Sequence, residues 1–432
     1  MITTLAAVLL AGLSAAAPAP SRPRGVVLIS VDALRADRLG ARHNGVALTP
    51  RLDAWAARGI VFEQAVSQAP WTLPSMMTAF TSVYPHRHGV TNRFESFDRE
   101  RREPSRLPRS MTTLAEAFKN AGWDTAAFTG EAGLERVHGF DRGFDVYYDS
   151  ITFAGFETTA PLALEWLKAR GPRPFFLFLH GYDVHGENPL PPGFKSRFDP
   201  LDDPDRLGRV GDEYLELRLA AIEGRRGPAS ARDKEFWRAV YDERVARADE
   251  RLGRFLTELE AMPGFSTGVV VAVMSDHGEE LLERGGVDHG MTLYDEVLRT
   301  ALIVRAPDLV PRRVKAQARL LDLAATLLDL AGVSDARFSA QAQGVSLRPL
   351  MEGRPLALDS LAETDYLFRA SLRALRTSDG RKLVFDLESL ERRLYDLRAD
   401  PGETRDLAGQ DPGAVKELDA RLRRLLDLPS RP

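Results

Sequence analysis

Two apolar runs constrain this chain more than anything else in it. Near the start, Val26-Val27-Leu28-Ile29-Ser30-Val31 ends in Asp32, and far downstream Val269-Val270-Val271-Ala272-Val273-Met274-Ser275 ends in Asp276, His277 and Gly278. Such runs, apolar without alternation, read as strands covered on both faces, the pattern of a parallel sheet inside an α/β domain. Functional side chains in such sheets gather beyond the carboxyl ends of the strands. Two interior strands that each stop at an aspartate therefore predict one site built from distant parts of the chain. Gly278 permits the turn that follows.

The remaining chain alternates short apolar runs with amphipathic stretches, which predicts βαβ units. Further strands are expected over 60–62, 124–128, 174–180 and 301–304. Helices are expected over 49–58, 112–121, 158–169, 234–260 and 319–331, the last closed by Gly332. Residues 187–230 carry Pro, Gly and many charges and read as a long surface excursion beside a pocket. Near residue 340 the character changes. Short strands over 372–376, 382–386 and 393–396, a Ser378-Asp379-Gly380 turn and a helix over 412–426 predict a small α+β subdomain, bounded at 340–428. The large domain then spans 24–335.

With 432 residues, 44% hydrophobic and 28% charged, the chain has the makeup of a globular protein. A formal net charge of −4 gives no reason to expect a nucleic-acid partner. Residues 1–20 stand apart: the apolar run Leu5 to Leu13 leads into Ser14-Ala15-Ala16-Ala17, the pattern of a signal peptide with an Ala-x-Ala cleavage site. That predicts a periplasmic or secreted protein. The run is too short to span a bilayer, and no other stretch is suited to do so. The absence of cysteine excludes disulfides and thiolate metal sites.

Asp32, Asp276 and His277 are oxygen and nitrogen donors, which suit Ca²⁺, Mg²⁺, Mn²⁺ or Zn²⁺. Taken singly, Asp32 could instead cap a helix and His277 could be an ordinary loop residue. Trp71-Thr72-Leu73-Pro74-Ser75 sets a hydroxyl at the expected start of a helix running to Thr81, where free N–H groups favour an anion. A threonine hydroxyl needs a metal or a base before it acts as a nucleophile, and Thr72 could alternatively be an N-cap. Of the eight histidines, His185 and His289 follow expected strand ends and are candidates to bind an ester or protonate its leaving oxygen. His180 and Asp183 share the first of those strings. His86 and His88 read as satisfied residues of a turn.

These strings resemble the sulfatase family of the alkaline phosphatase superfamily over most of residues 24–410. The resemblance rests on Val27 to Asp37, Thr49-Pro50-Arg51-Leu52-Asp53, Tyr84-Pro85-His86-Arg87-His88-Gly89, Thr113-Leu114-Ala115-Glu116, Ser275-Asp276-His277-Gly278-Glu279 and Leu394 to Glu403. It implies an α/β/α sandwich around a mostly parallel sheet, with a small C-terminal α+β subdomain. It also implies a metal-dependent hydrolase of sulfate or phosphate esters acting on a small molecule or a glycan. Asp32, Asp276 and His277 fall on the family's metal-ligand positions, and His185 and His289 on positions that contact the ester.

The departures narrow that expectation. The family's Cys/Ser-x-Pro-Ser/Ala-Arg motif, whose first residue matures to formylglycine, reads Thr72-Leu73-Pro74-Ser75-Met76 here. Threonine cannot give that aldehyde, so no formylglycine is expected. The Gly-Lys-x-His signature falls on Gly130-Glu131-Ala132-Gly133, and the second Asp of the usual pair is Ala33. Threonine at this position resembles the superfamily's phosphoryl-transfer branches, in which it is both metal ligand and nucleophile. Two alternatives stand beside an ester hydrolase: an inactive metal- or glycan-binding protein, and a phosphoryl transferase.

Overall fold

The computed structural model describes residues 23–96, 103–186, 197–198 and 204–427. The expected signal peptide lies outside them, as does part of the 187–230 excursion.

The chain builds a nine-stranded central sheet. Its strands are β1 (Gly25–Val31), β2 (Ile60–Val66), β3 (Asp124–Phe128), β4 (Val146–Tyr148), β5 (Phe175–Gly181), β6 (Val269–Met274), β7 (Arg299–Thr300), β8 (Leu302–Arg305) and β9 (Arg312–Arg319). Their order is β7-β2-β8-β6-β1-β5-β3-β4, with β9 also pairing β2. The centre is parallel: β1 pairs β5 and β6 in that sense, and β3 pairs β4 and β5. β8 runs antiparallel between β2 and β6.

β1 shows why the apolar runs do not alternate. Val26 and Leu28 enter one hydrophobic cluster, and Val27, Ile29 and Val31 enter another on the opposite face. Successive side chains of a strand point to opposite sides, so a strand buried on both needs apolar residues throughout. Helices Thr72–Thr81, Leu114–Asn120 and Leu323–Ala331 cover the first face. Helices Pro50–Ala56, Phe156–Ala169 and Ala231–Glu260 cover the second. Leu28 is fully buried, and its truncation to Ala would cost about 2–5 kcal/mol.

A second sheet of four antiparallel strands follows: β10 (Ser360–Thr364), β11 (Leu372–Arg376), β12 (Arg381–Asp386) and β13 (Arg392–Asp396), in that spatial order. Helix Pro412–Leu425 packs Ala414, Leu418 and Leu422 against Leu375, Leu383, Phe385 and Leu394. The α/β/α layers with a C-terminal antiparallel subdomain are as expected.

Three segments depart from the sequence reading. The helix expected from residue 319 begins regularly at Leu323, because Arg312–Arg319 is the parallel edge strand β9. Its alternation of charged and small residues hid it, yet an edge strand buries only part of its length. β10 was not anticipated, since Ser-Leu-Ala-Glu-Thr has no aromatic residue and a single β-branched one, Thr364, at its end. Within the 187–230 excursion, Val210–Ile222 is a helix.

Candidate active site

Register brings the two aspartates together. Ser30 pairs His180 on one side and Met274 on the other. Asp32 and Asp276 therefore each lie two residues past the same rung of adjacent parallel strands. His277 comes with Asp276, and His180 closes β5 on the other flank. Gly278 is required here: a Cβ on it would lie 2.1 Å from the carbonyl oxygen of Glu296.

Thr72 arrives from another layer. It is the first residue of helix Thr72–Thr81, and the N-cap is Trp71, in extended conformation and without a side-chain cap bond. The expected alternative, an N-cap threonine, is thereby overturned. Its Oγ1 instead donates to Asp32 Oδ2 at 3.0 Å and lies 3.3 Å from His277 Nε2. Ser75, one turn along, anchors the helix by donating to the Asp276 carbonyl at 2.7 Å. Gly133, in the Gly130–Gly133 loop, reaches Thr72: a Cβ there would sit 3.3 Å from Thr72 Cβ, and its φ is +111°. Glu131 and Ala132 also have positive φ, strain of the kind that collects at functional sites. The hydroxyl of Tyr182 holds this loop by donating to Glu131 and Ala132 carbonyls at 3.0 and 2.7 Å.

The electrostatics of this cluster call for a cation. Asp32, Asp276 and His277 are all fully buried. Asp276 Oδ1 accepts from the N–H groups of Ala33 and His277 at 3.2 and 3.1 Å. Its Oδ2 and Asp32 Oδ1 are buried without a hydrogen-bond partner. Burial, then the neighbouring Asp276 charge, holds the Asp32 carboxyl well above the usual range. Burial pushes His277 down to about 4, and His180 likewise to about 4. A neutral His277 is a ligand form, and its Nδ1 lies 2.8 Å from the Gly278 carbonyl. A proton at Nδ1 leaves the Nε2 lone pair facing the carboxylates.

Donor atoms of Asp32, Asp276 and His277 all lie within 4.8 Å of one another. The separations Thr72 Oγ1–Asp32 Oδ2, Thr72 Oγ1–His277 Nε2 and His277 Nε2–Asp276 Oδ2 are 3.0, 3.3 and 3.4 Å. Bonds of ~2.0–2.1 Å in a tetrahedral shell give donor edges of about 3.3 Å. The residues therefore fit a divalent ion, and the imidazole favours Zn²⁺ among the candidates.

His185 and His289 stand beside this cage. The His277 and His289 ring centroids are 4.1 Å apart, and those of His185 and His289 5.2 Å. Burial, then His289, pushes His185 well below its ordinary value. Burial works against charge on His289 too, but Asp288 and Glu279 outweigh it and raise the imidazole to about 10. His86 and His88 are engaged elsewhere: His86 Nδ1 pairs with Glu363 at 2.6 Å, though its Nε2 is buried without a hydrogen-bond partner, and His88 Nε2 lies 3.1 Å from Thr78 Oγ1. Asp183 caps a helix through the Phe156 N–H at 2.7 Å and pairs with Arg251.

Sequence reasoning assigned no role to Glu279 or Asp288, although each adjoins a site string. It also missed Tyr214 and Arg218, which stand one helical turn apart on Val210–Ile222. Tyr214 Oη and Arg218 Nε both donate to Asp288, at 3.0 and 2.5 Å. The departures from the sulfatase pattern predict a site poor in cations; Arg218 returns one to its edge.

Comparison with known proteins gives a consistent picture. Residues 24–333 match the Sulfatase family model, and residues 283–428 the model described as N-sulphoglucosamine sulphohydrolase, C-terminal. The chain is 25% identical to a Delta 4,5-hexuronate-2-O-sulfatase of Bacteroides thetaiotaomicron, over 97% of this chain and 91% of the other. A solved 2-O GAG sulfatase superposes with a TM-score of 0.73 at 22% identity, covering 94% of this chain and 91% of that one. The phosphonate monoester hydrolase of Agrobacterium radiobacter gives 0.68 at 20% identity, over 94% and 95%.

Proposed function

This chain belongs to the sulfatase family of ester hydrolases, and we propose that Thr72 is its nucleophile, on a divalent cation held by Asp32, Thr72, Asp276 and His277. The observation that carries this reading is the Thr72 hydroxyl itself. It has left the helix end it was free to cap and bonds to Asp32, with His277 Nε2 beside it. When bound, the cation would lower the pKa of the hydroxyl it coordinates and offset charge on the ester's equatorial oxygens.

The chain's own groups do the rest. Asp32 Oδ2 accepts the Thr72 proton, and Oγ1 attacks the central phosphorus or sulfur in line. The ester oxygen departs as its bond breaks and takes a proton from His289, with His185 positioned against it. Water then cleaves the threonyl ester and restores the hydroxyl. Because threonine cannot become formylglycine, phosphate esters are the preferred class, of a small molecule or a glycan. The fold is shared with a phosphonate monoester hydrolase, so this architecture accommodates phosphorus centres. Among the described residues no helix is long and apolar enough to cross a membrane. We place the protein in the periplasm or outside the cell, on the strength of the leader-like residues 1–20, and assign the large domain to 24–335 and the subdomain to 340–428.

The test is direct. Purified protein loaded with Mn²⁺, Zn²⁺ or Ca²⁺ is assayed on an aryl sulfate, a phosphomonoester and a phosphodiester, alongside Thr72→Ala. Phosphate-ester turnover lost in the variant is expected. Sulfate turnover alone, lost in the variant, would reverse the phosphate preference. Turnover that survives Thr72→Ala would remove the nucleophile assignment.

A further inference from the structure

We propose that Phe153 selects the substrate by seating a flat apolar ring on the departing group, so that the preferred esters are those of phenols. This inference rests on the leaving-group side assigned to His289 and His185 above, and it narrows the choice between small molecule and glycan to a small aryl ester. The ring centroids of His277 and His289 are 4.1 Å apart, those of His289 and His185 5.2 Å, and those of His185 and Phe153 4.9 Å. Phe153 is thus the next ring in a series that starts at the cation cage and passes the two histidines facing the departing oxygen.

A second, independent observation sets this phenyl group apart. Its backbone lies in the left-handed region, with φ +57°, which favours glycine and strains a bulky residue. Core packing does not account for it: Phe153 is only half-buried and joins none of the hydrophobic clusters of the described residues. Its turn is nonetheless held firmly. The Phe153 N–H donates to the Gly130 carbonyl at 2.8 Å, and the Ala154 carbonyl accepts from the Tyr182 N–H at 3.2 Å. A Cβ on Gly130 would lie 2.5 Å from the Ala154 nitrogen and carbonyl oxygen, so glycine lets the two loops meet. The Tyr182 ring meets Phe153 at 5.5 Å and 88°, edge to face. Ile151, 47% exposed, adds an apolar side chain to the same turn. A ring kept in an unfavourable backbone conformation, fixed in orientation and partly open to solvent, suits a ligand better than a core.

Aromatic rings attract one another in offset and edge-on arrangements beyond what their buried area supplies, which gives a flat ring an advantage over an aliphatic group. As the bond from phosphorus to the departing oxygen breaks, that oxygen takes the His289 proton and leaves as a phenol, its ring still against Phe153. The contact is the same in the bound ester and at the transition state, so it acts on KM and not on kcat.

The experiment compares two activated phosphoryl compounds, one with a ring and one without. The full-length protein loaded with Mn²⁺, Zn²⁺ or Ca²⁺, and its Phe153→Ala and Phe153→Tyr variants, are assayed on 4-nitrophenyl phosphate and on acetyl phosphate. Phe153→Ala is expected to lower kcat/KM for the aryl ester about 10-fold or more, through KM. Acetyl phosphate should be little affected, and Phe153→Tyr should stay close to the unmodified protein on both. An equal loss on both compounds, or no loss on either, overturns the seat and leaves Thr72 as nucleophile. Turnover confined to 4-nitrophenyl sulfate overturns the phosphate preference alone: a loss through KM in Phe153→Ala would still support the seat, and an unchanged KM would remove it. No turnover of any of the three overturns both readings. Should Phe153→Ala not fold, Phe153→Leu, which keeps apolar bulk without the ring, takes its place with the same outcomes.

Discussion

Lys382 and Asp32 are both buried charged groups, but their surroundings differ in kind. Lys382, on β12, is fully buried with Asp295 Oδ1 at 2.9 Å and Glu403 Oε1 at 2.8 Å. Arg376 adds a second contact to Asp295 at 3.3 Å. Burial opposes the Lys382 charge, yet Asp295 and Glu403 outweigh it and hold the ammonium above its ordinary value. Here the chain supplies both signs, and the network ties the C-terminal sheet to the central domain. At the ends of β1 and β6 it supplies carboxylates and a neutral imidazole. A buried cluster closed by its own lysine is architecture; one that lacks a cation is open to a ligand.

Four experiments test that contrast, in falling order of effect. Thr72→Ala should lower kcat by at least about 10³-fold, or about 4 kcal/mol of transition-state stabilisation, with little change in thermal midpoint. Comparable rates would make the open cluster structural after all. Lys382→Met should destabilise by about 3–5 kcal/mol in denaturant unfolding, because it leaves buried Glu403 without its cation and Asp295 with Arg376 alone. That loss should be the same with and without EDTA, whereas a metal-dependent loss would join the two clusters.

Metal removal should do the reverse. EDTA should lower stability by about 2.7 kcal/mol relative to protein with free cation at 100 times its Kd, and Asp276→Asn should abolish that difference. The smallest effect concerns a third buried group, His88, which pairs with Thr78 and accepts from the Val90 N–H. Burial pushes it down to about 3. Its folded value lies below the unfolded one of ~6.5, so the unfolded chain binds more protons between those values. Its contribution is complete above about pH 6.5 and declines as pH falls towards about 3. In metal-free protein, His88→Gln should flatten the acid limb of denaturant midpoints by up to about 1.4 kcal/mol per pH unit. An unchanged slope would remove His88 from the account.

Legibility from sequence followed burial. Asp124–Phe128 and Leu372–Arg376 have the expected bounds, because strands packed on apolar surfaces display their pattern in their own residues. β9 and β10 were invisible: one is an edge strand carrying arginines, and the other earns its burial from neighbours. Of the candidate site residues, Asp32, Asp276 and His277 announced themselves as chemistry at the ends of apolar runs. Thr72 was visible as a hydroxyl at a helix start, but two roles were open to it. Glu279 and Asp288 were passed over, since a lone acid in a loop carries no signal until its neighbours are known. Tyr214 and Arg218 lay in a stretch read as irregular.

The sequence by itself determined the class of the fold, the strands that end in ligand-type residues, and the impossibility of a formylglycine at residue 72. These follow from local patterning and from the chemistry of single side chains. Tertiary structure alone decided that Thr72 Oγ1 turns to Asp32 instead of capping its helix. It also decided that Glu279 is enclosed beside His289 and that Arg218 reaches Asp288. Those outcomes depend on which side chains meet across layers far apart in the chain, and no local pattern encodes such distances.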